Sequence, residues 1–422
     1  MKLGMALLPG WQLLRMARTM HRRRQSRGPQ LGCALVWMEP CRKCLVRGRC
    51  PAAYCGVWSN SKVRELRELS KGREADRGSD KSTQVRLKDI AHDLGLSTVT
   101  ISKVLRGHSD IGDETRKRVL KRMDELNYQP NFAARALITG RTWTIGLVVP
   151  DLLHPFFAHV AKAISAGIRG QGYSLMITSS EEDPELEQQE IEQLLARRVD
   201  AIIIASAQST LESVRRIEER RIPYVLIDRR FAGLAANFVG VDDEAVGLMA
   251  TNHLLQQGCR RVAHIRGPEA STALGRLEGF KRALSEHRIP VLPENIISIG
   301  TSGDDRGEPG GYEATRKLLA AKPQPDGIFC FNDPIALGAM RAILDTGLRI
   351  PQDIAVVGCG NVLYSEFLRV PLSSIDQDSA AIGRHAAELA LSLVGAKETG
   401  SPIERLVTPR LIVRASSLRG PS

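Results

Sequence analysis

The chain has 422 residues, of which 43% are hydrophobic and 25% charged, so it can form two or three domains with buried cores. No apolar run approaches the roughly 18 residues that a membrane-spanning helix needs, so an integral membrane protein is not expected. The net charge of +12 comes from residues 1–84, which carry 18 Lys and Arg against 6 Asp and Glu. The later residues are neutral in sum, so the overall basicity is no evidence that they bind nucleic acid.

Residues 1–84 form a basic leader, which we interpret as a disordered extension or as translation assigned from too early a start. Five of the eight cysteines lie here, at Cys33, Cys41, Cys44, Cys50 and Cys55. The first close pair, Cys41 and Cys44, has a metal-binding spacing. The second pair does not repeat it, and no His lies nearby, so no metal is expected. The other three cysteines, Cys259, Cys330 and Cys359, are scattered singly, as is typical of reduced cytoplasmic thiols.

Residues 85–130 show the periodicity of three short helices. The first helix has one apolar face and ends at Gly95, and Ser97 can cap the second. The third helix begins near Asp113, whose carboxylate suits a helix N-terminus. The side chains predicted to face inward include Leu87, Ile90, Ala91, Leu94, Ile101, Val104, Leu105, Val119, Leu120, Met123 and Leu126. Two helices joined by a Gly-containing turn indicate a helix-turn-helix unit; a three-helix domain without DNA contacts is the alternative.

The outer face of the second helix is the predicted DNA-reading surface. Thr98 and Val99 lie at its tip, where a hydroxyl can bond to base edges and a valine can contact a thymine methyl. Its other predicted DNA contacts are Thr100, Ser102, Lys103 and Arg106. Of these, Ser102, Lys103 and Arg106 are expected to contact phosphate and to position the helix in the major groove.

Motifs in this region resemble the DNA-binding domain of the lactose-repressor (LacI/GalR) family. They include Leu87-Lys-Asp-Ile-Ala, Gly95-Leu-Ser-Thr-Val-Thr and Leu126-Asn-Tyr-Gln-Pro-Asn, and Ala133-Ala-Arg-Ala-Leu137 resembles the hinge helix of that family. The resemblance implies a homodimer with two headpieces in successive major grooves of a near-palindromic operator in double-stranded DNA. It also implies that Asn131 and Ala134 face the minor groove and that Leu137 wedges into a base step.

Two positions depart from the family pattern. Asn127 stands where the family usually has Gly, although Asn tolerates the left-handed conformation. Val99 stands at a base-reading position that is often polar, so an operator sequence cannot be transferred from the family.

Beyond Arg141, strand-like apolar runs alternate with amphipathic helical stretches, as in parallel sheets with helical crossovers. One series of strands is predicted at 145–149, 174–178, 201–205 and 224–227, and a second at 262–265, 296–299, 327–331 and 354–357. The predicted fold class is therefore α/β: a helix-turn-helix headpiece and hinge helix, then two doubly wound α/β subdomains. Such halves usually bind a ligand between them, at the carboxyl ends of their strands.

The core also resembles the effector domain of the same family, which is related to periplasmic sugar-binding proteins. The resembling segments include Asp200-Ala-Ile-Ile-Ile, Arg276-Leu-Glu-Gly-Phe and Phe331-Asn-Asp-Pro. We place the core at 142–415, with one subdomain at 142–240 and 372–399 and the other at 241–371 and 400–415. The hinge and linker occupy 131–141.

The resemblance implies an effector site made of Phe157, Asp228, Thr272, Arg276 and Asp333. Carboxylates can accept hydrogen bonds from sugar hydroxyls, Arg can donate to oxygens, and an aromatic ring can stack on C–H bonds. The alternatives are that Asp333 only caps a helix, that Arg276 forms a surface ion pair, and that the nearby His154 is a loop residue. Cys359, Gly360 and Asn361 replace the aromatic and acidic pair usual in the family, so effector identity does not carry over.

No nucleotide-binding, metal-binding or catalytic motif is found in the sequence, and the Gly-rich segment 303–311 is interpreted as a loop. We therefore expect a cytoplasmic transcriptional regulator, a repressor without enzymatic activity or cofactor, that responds to a sugar or sugar derivative. The alternative is a sugar-binding or sensing protein without a direct DNA role. The last eight residues show no heptad repeat, which favours a dimer over a tetramer.

Overall fold

The structure, a computed structural model, describes residues 85–105, 109–128, 136, 139–300, 307–396 and 400–419. The chain divides into two compact units between Tyr128 and Gln129. The leader with its five cysteines, Arg106, and the hinge positions Asn131, Ala134 and Leu137 lie outside the described residues. The predictions made for them stay predictions.

The first unit contains the three predicted helices: α1 (Leu87–Leu94), α2 (Thr98–Leu105) and α3 (Asp113–Glu125). Gly95 ends α1 in the left-handed conformation, at φ 66°. The Ser97 hydroxyl accepts a 3.0 Å hydrogen bond from the Thr100 backbone N–H, which confirms the predicted cap of α2. Asn127 has φ 47° after α3, as expected for Asn at a left-handed position.

The three helices enclose a small apolar core with Ile90, Ile101 and Val119 fully buried at its centre. Two inward positions were predicted wrongly: Leu105 is 37% exposed and Leu120 46% exposed. Successive helical residues are rotated by about 100°, and the preceding Val104 and Val119 occupy the core-facing positions instead. The apolar stripe is therefore narrower than the sequence suggested.

In the second unit, the first run of alternating elements builds most of one sheet. It contains β1 (Thr144–Val149), α4 (Pro155–Arg169), β2 (Ser174–Ser179), α5 (Pro184–Ala196), β3 (Ala201–Ile204), α6 (Glu212–Glu219), β4 (Tyr224–Ile227) and β5 (Phe238–Val241). All four residues of β3 are buried, because helices cover both faces of a parallel sheet and every side chain needs an apolar neighbour.

The second run repeats this architecture in a second sheet. It contains α7 (Asp243–Gln256), β6 (Val262–Arg266), α8 (Ser271–Glu286), β7 (Ile296–Ser298), α9 (Gly307–Ala320), β8 (Gly327–Cys330), α10 (Asp333–Asp345), β9 (Ala355–Cys359) and β10 (Ser373–Asp376). The chain ends with α11 (Ser379–Gly395), β11 (Glu404–Val407) and β12 (Arg410–Ile412). The alternating strands and helices predicted for both halves are confirmed.

Strand pairing gives the orders β11-β5-β4-β3-β1-β2 and β12-β10-β9-β8-β6-β7. The predicted subdomain boundaries differ from this pairing at two places. β10, assigned by sequence to the first subdomain, pairs with β9 in the second sheet, so the chain returns to the first sheet only after Asp376. β11, assigned to the second subdomain, pairs with β5 in the first sheet. Neither strand is an apolar run in the sequence: β10 is Ser-Ser-Ile-Asp, and β11, at the sheet edge, has partly exposed side chains.

Close helix pairs beside the second sheet depend on glycine. A Cβ on Gly279 of α8 would collide with the Glu244 carbonyl oxygen of α7, and one on Gly338 of α10 would collide with the Glu308 carbonyl oxygen of α9. The Gly-rich segment read as a loop is helical from Gly307 onward. Gly311 in that helix packs against the Ile335 carbonyl, so this glycine permits close packing rather than a turn.

Candidate functional site

Helix α2 leaves its predicted DNA-reading face open to solvent. Thr98 is exposed and Val99 is 60% exposed, whereas Ile101 and Val104 on the opposite face are buried in the unit. Thr100, Ser102 and Lys103 are partly exposed. Lys103 Nζ lies 2.5 Å from Asp110 Oδ2, so a phosphate contact by Lys103 would have to replace or share this surface ion pair. An exposed valine at the tip of a helix packed only by its other face is available to a partner.

The second candidate site is the cleft between the two sheets of the core. In each sheet, the carboxyl ends of the parallel strands lie along one edge. Two hydrogen bonds connect this edge of the first sheet with the corresponding edge of the second. His154, after β1, contacts Asn332, after β8, with 3.1 Å between His154 Nε2 and Asn332 Nδ2. The Arg230 backbone N–H, after β4, donates to Ser271 Oγ at 2.9 Å. The residues that follow these strands therefore line one cleft.

The proton position on His154 follows from its partner. Asn332 Oδ1 accepts the Ile335 N–H at 3.0 Å and caps α10, so the other amide atom, Nδ2, must face His154 as a donor. His154 Nε2 is then the acceptor, and the proton of the neutral ring lies on Nδ1. Burial lowers the pKa of His154 to about 4, which keeps the ring neutral near pH 7. Nδ1 is buried without a partner in the described structure, so it is a donor available to a ligand.

Arg276 lies in the predicted site, but it is already paired. Its Nε donates to Asp243 Oδ1 at 3.0 Å and its Nη1 to the Phe331 carbonyl at 2.6 Å. Its guanidinium also stacks 4.4 Å above the Phe331 ring centre. Burial raises the pKa of Asp243 to about 7, an effect that the ion pair with Arg276 opposes. The surface ion pair considered for Arg276 is instead a buried one, with the guanidinium held in a fixed orientation at the cleft.

A second buried ion pair joins Arg229, after β4, to Glu182, after β2. Arg229 donates through Nη1 and Nη2 to the two carboxylate oxygens of Glu182, at 2.7 and 2.6 Å. Asp228, the predicted ligand beside it, has φ 61° and a side chain only 11% exposed. Burial raises the pKa of Asp228, and its nearest cation atom, Arg229 Nε, is 3.9 Å away. Because the described structure has no hydrogen bond to the Asp228 side chain, its oxygens can accept hydrogen bonds from a bound molecule.

Thr272 and Phe157 are buried at the helix N-termini that border the cleft. Thr272 is 1% exposed, and its hydroxyl has no hydrogen-bond partner in the described structure. Phe157, 6% exposed, makes an edge contact with the His154 ring at 5.7 Å between centroids. A buried hydroxyl without a partner costs about 1–3 kcal/mol, which a polar ligand could relieve.

Asp333 is placed differently from the other four predicted residues. Its Oδ1 accepts from Ser374 Oγ at 2.6 Å, and its Oδ2 accepts from the Val362 N–H at 2.9 Å and from Ser365 Oγ at 3.2 Å. The side chain is fully buried, and Asn332 rather than Asp333 caps α10. Asp333 therefore ties α10 to the loop after β9 and to β10, and its contacts favour a structural role over ligand binding.

Three further polar groups near the cleft were missed by sequence reasoning. They are Arg229 Nε, Arg266 Nε and Gln377 Nε2, each buried without a partner in the described structure. Arg266 ends β6 and Gln377 directly follows β10, so each stands where a strand ends. A search for polar residues just after each strand would have found Arg229 and Arg266. It would have missed Gln377, because β10 itself was not predicted.

The three cysteines of the core, Cys259, Cys330 and Cys359, are buried and free. No cluster of three His, Cys, Asp or Glu side chains suited to a metal occurs among the described residues. In the same part of the chain, no helix is both long and apolar enough to cross a membrane.

Comparisons with known proteins match both units of the chain. Residues 86–131 match the family model "Bacterial regulatory proteins, lacI family", and residues 142–414 match "Periplasmic binding proteins and sugar binding domain of LacI family". The HTH-type transcriptional repressor PurR of Haemophilus influenzae is 32% identical over 336 residues, which cover 78% of this chain and 98% of that protein.

Solved structures show the same likeness. The lac repressor dimer bound to operator and the anti-inducer ONPF has a TM-score of 0.70 and 27% identity, covering 79% of this chain and 99% of that one. The transcriptional regulator CelR in complex with cellobiose has a TM-score of 0.61 and 26% identity, with the same coverage.

Proposed function

The chain belongs to the LacI family of bacterial transcriptional regulators, and we propose that it is a homodimeric repressor of a near-palindromic operator, controlled by a sugar or sugar derivative. One observation carries the proposal: the cleft of the core collects buried polar groups that have no hydrogen-bond partner among the described residues. Folded proteins seldom leave such groups unpaired, so the cleft is suited to a polar ligand.

The chemistry of these groups supports a ligand rich in hydroxyls. His154 Nδ1, Arg229 Nε and Gln377 Nε2 can donate, Asp228 can accept, and the Thr272 hydroxyl can do either. A sugar hydroxyl both donates and accepts, so adjacent hydroxyls can serve donors and a carboxylate at once. The CelR complex with cellobiose is a precedent in a related structure. We propose His154, Phe157, Asp228, Arg229, Thr272, Arg276 and Gln377 as the effector site.

On the DNA side, the exposed tip of α2 supports base reading by Thr98 and Val99 in the major groove. Thr100, Ser102, Lys103 and Arg106 would complete this surface, and Asn131, Ala134 and Leu137 would act in the minor groove, with Leu137 as the wedge. The lac repressor dimer on its operator supports the homodimer. We place the protein in the cytoplasm, where it would meet its operator, and assign it no reaction and no cofactor.

The test is selection of bound duplexes from a random library by the full chain, without and with a panel of sugars. We expect enrichment of a near-palindrome, and one sugar that changes its retention. The direction of that change distinguishes an inducer from a corepressor, since each must prefer a different state of the core. No enriched sequence under any condition, with a sugar still binding the core in calorimetry, would support a sugar-binding protein without a DNA role.

A further inference from the structure

Five arginines stand together at the end of the core opposite the cleft. Arg141 precedes β1, Arg197 and Arg198 precede β3, and Arg220 and Arg221 precede β4. We call these residues the arginine rim. β1, β3 and β4 are parallel neighbours, so the residues before them lie along one edge of the sheet. With strands about 4.8 Å apart, the rim is about 10 Å wide before side-chain reach is added.

The arginines of the rim form no ion pair in the part of the chain that the structure describes. In the described part of the chain, none of its five guanidinium groups lies within 4.0 Å of a carboxylate, whereas Arg216 and Arg230 are both paired with Glu. Two nearby carboxylates are engaged elsewhere. Asp200 accepts the Thr142 and Trp143 backbone N–H groups, both at 2.9 Å, and Glu218 accepts the Tyr224 hydroxyl at 2.8 Å.

Four of the five arginines also line one concave surface. Arg141, Arg198, Arg220 and Arg221 border a space of about 1140 Å³, and the carboxylates of Asp200 and Glu218 line it too, so arginines outnumber carboxylates there. Small-molecule sites usually have about 300–1,000 Å³ and enclose their ligand, so this space has the size of a groove rather than of a metabolite pocket. The chain also enters the core here, because Gly140 and Arg141 directly follow the hinge segment and belong to the same lining.

We propose that the arginine rim binds the phosphate backbone of DNA, as a contact separate from the helix-turn-helix and the hinge. The inference rests on the proposed function, because that function makes DNA the polyanion that this chain binds. Arginine matches phosphate through several N–H donors in a planar fork. Phosphates follow each other every 3.4 Å of axial rise per strand, so a rim about 10 Å wide can contact two or three of them. Such contacts carry no sequence information and strengthen binding to every duplex alike.

The test compares the salt dependence of DNA binding by the full chain and by the double variant Arg198→Gln and Arg221→Gln. Each phosphate contact contributes about 0.9 to the slope of log affinity against log salt concentration. If both arginines contact phosphate, the slope falls by nearly two. Between 50 and 200 mM salt, wild type then loses roughly tenfold more affinity than the variant. The loss of affinity at low salt should be equal on the selected operator and on an unrelated duplex of the same length.

The matched control is Arg260→Gln with Arg288→Gln, which removes two exposed arginines from the second subdomain. Arg288 follows a helix at φ 56°, like Arg198 and Arg221 at φ 55°. The control therefore includes a substitution at the same left-handed backbone conformation. The control should keep the wild-type slope. The single variant Arg220→Gln provides a second reading if the double variant unfolds at a lower temperature than wild type.

Three results would overturn the inference. An unchanged slope in the rim variants, with wild type still selecting an operator, would reject the rim and leave the proposed function intact. If the slope falls equally in the rim and control variants, the loss reflects the lower net charge of the protein and not a contact at the rim. In the third result, inorganic phosphate raises the melting temperature of wild type but not of the rim variant, while the two proteins have the same salt dependence of DNA affinity. In that case the rim binds a small anion instead. Absence of operator selection by wild type would reject the proposed function itself.

Discussion

Single residues of one chemical type differ in their hydrogen-bond partners in this core, and these partners guide the choice of substitutions. Asp333 and Asp228 both follow strands. Asp333 accepts three protein hydrogen bonds, whereas no hydrogen bond to the Asp228 side chain is found among the described residues, and its ion pair with Arg229 spans 3.9 Å. Removing Asp333 would leave buried donors unpaired, so it is a poor test of ligand binding. The informative substitutions are at groups that have no protein partner.

We predict that Thr272→Val weakens effector binding without loss of stability. The Thr272 hydroxyl has no partner in the described structure, and valine has the same shape, so stability should stay equal or rise by up to about 1 kcal/mol. A lost hydrogen bond to ligand should reduce affinity roughly three- to tenfold. The measurement is calorimetric titration with the sugar that alters operator binding, alongside urea unfolding.

Thr315→Val is the control, because Thr315 on α9 is also buried with a hydroxyl that lacks a partner. It should have a similar effect on stability and none on effector affinity. Equal affinity of the Thr272→Val variant and wild type would remove Thr272 from the effector site.

At the scale of elements, the amphipathic helices follow from their apolar spacing, but their distance from one another does not. α7 and α8 approach closely enough that Gly279 faces the Glu244 carbonyl, and α9 and α10 repeat the arrangement through Gly338 and Glu308. In an isolated helix each of these glycines would cost about 1 kcal/mol relative to alanine. They are favourable here because the facing atoms are backbone, which cannot rotate away.

Gly279→Ala is therefore expected to destabilise the core, although alanine is the better helix former. The added methyl would overlap a backbone carbonyl, and the resulting helix shift should cost about 2–3 kcal/mol or more. The midpoint of urea unfolding should fall accordingly. Gly395→Ala at the end of α11, where a Cβ meets nothing within 4 Å, should show no such fall. A Gly279→Ala variant as stable as wild type would contradict the close approach of α7 and α8.

At the scale of the whole molecule, the core is a pair of sheets joined at a polar cleft. It contains buried histidines whose protonated form is disfavoured by burial. His264 lies between Phe329 and Phe280, at ring-centroid distances of 4.6 and 5.3 Å, and is fully buried. Burial lowers its pKa to about 4. The unfolded chain, with an ordinary histidine pKa near 6.5, binds this proton first, so stability falls as pH drops from about 6.5 towards 4.

We predict that His264→Phe reduces this loss of stability. Between pH 7 and pH 5 the neutral histidine should account for roughly 2 kcal/mol of the decrease in the free energy of unfolding, and the variant should lack that part. The raised pKa of Asp243 acts with the opposite sign, since a carboxyl that binds its proton more readily when folded stabilises the fold as pH falls. The difference between wild type and variant isolates His264.

His159→Gln, a change at an exposed position of α4, should keep the wild-type pH profile. Free energies from urea unfolding at pH 7, 6 and 5 provide the comparison. Parallel profiles for wild type and the His264→Phe variant would show that His264 carries its proton in the folded core as well.

The sequence alone was sufficient for those features that depend on local patterns. Helices α1 to α3, the Gly95 stop and the Ser97 cap follow from short-range spacing and capping, and the residues of β1, β3 and β4 are apolar enough to predict strands. The motifs that carried the family resemblance lie in the same regions, so family and function could be predicted before the structure was known.

The tertiary structure was needed wherever a residue's role depends on a distant partner. The Asp333 carboxylate accepts hydrogen bonds from Ser374 and Val362, residues 41 and 29 positions later. β11 joins the first sheet only because β5 supplies its hydrogen bonds. His154 becomes a donor into the cleft because Asn332, 178 positions later, occupies its other nitrogen. Local patterns determine elements because their causes are neighbours in sequence. Ligand sites depend on contacts that only folding creates.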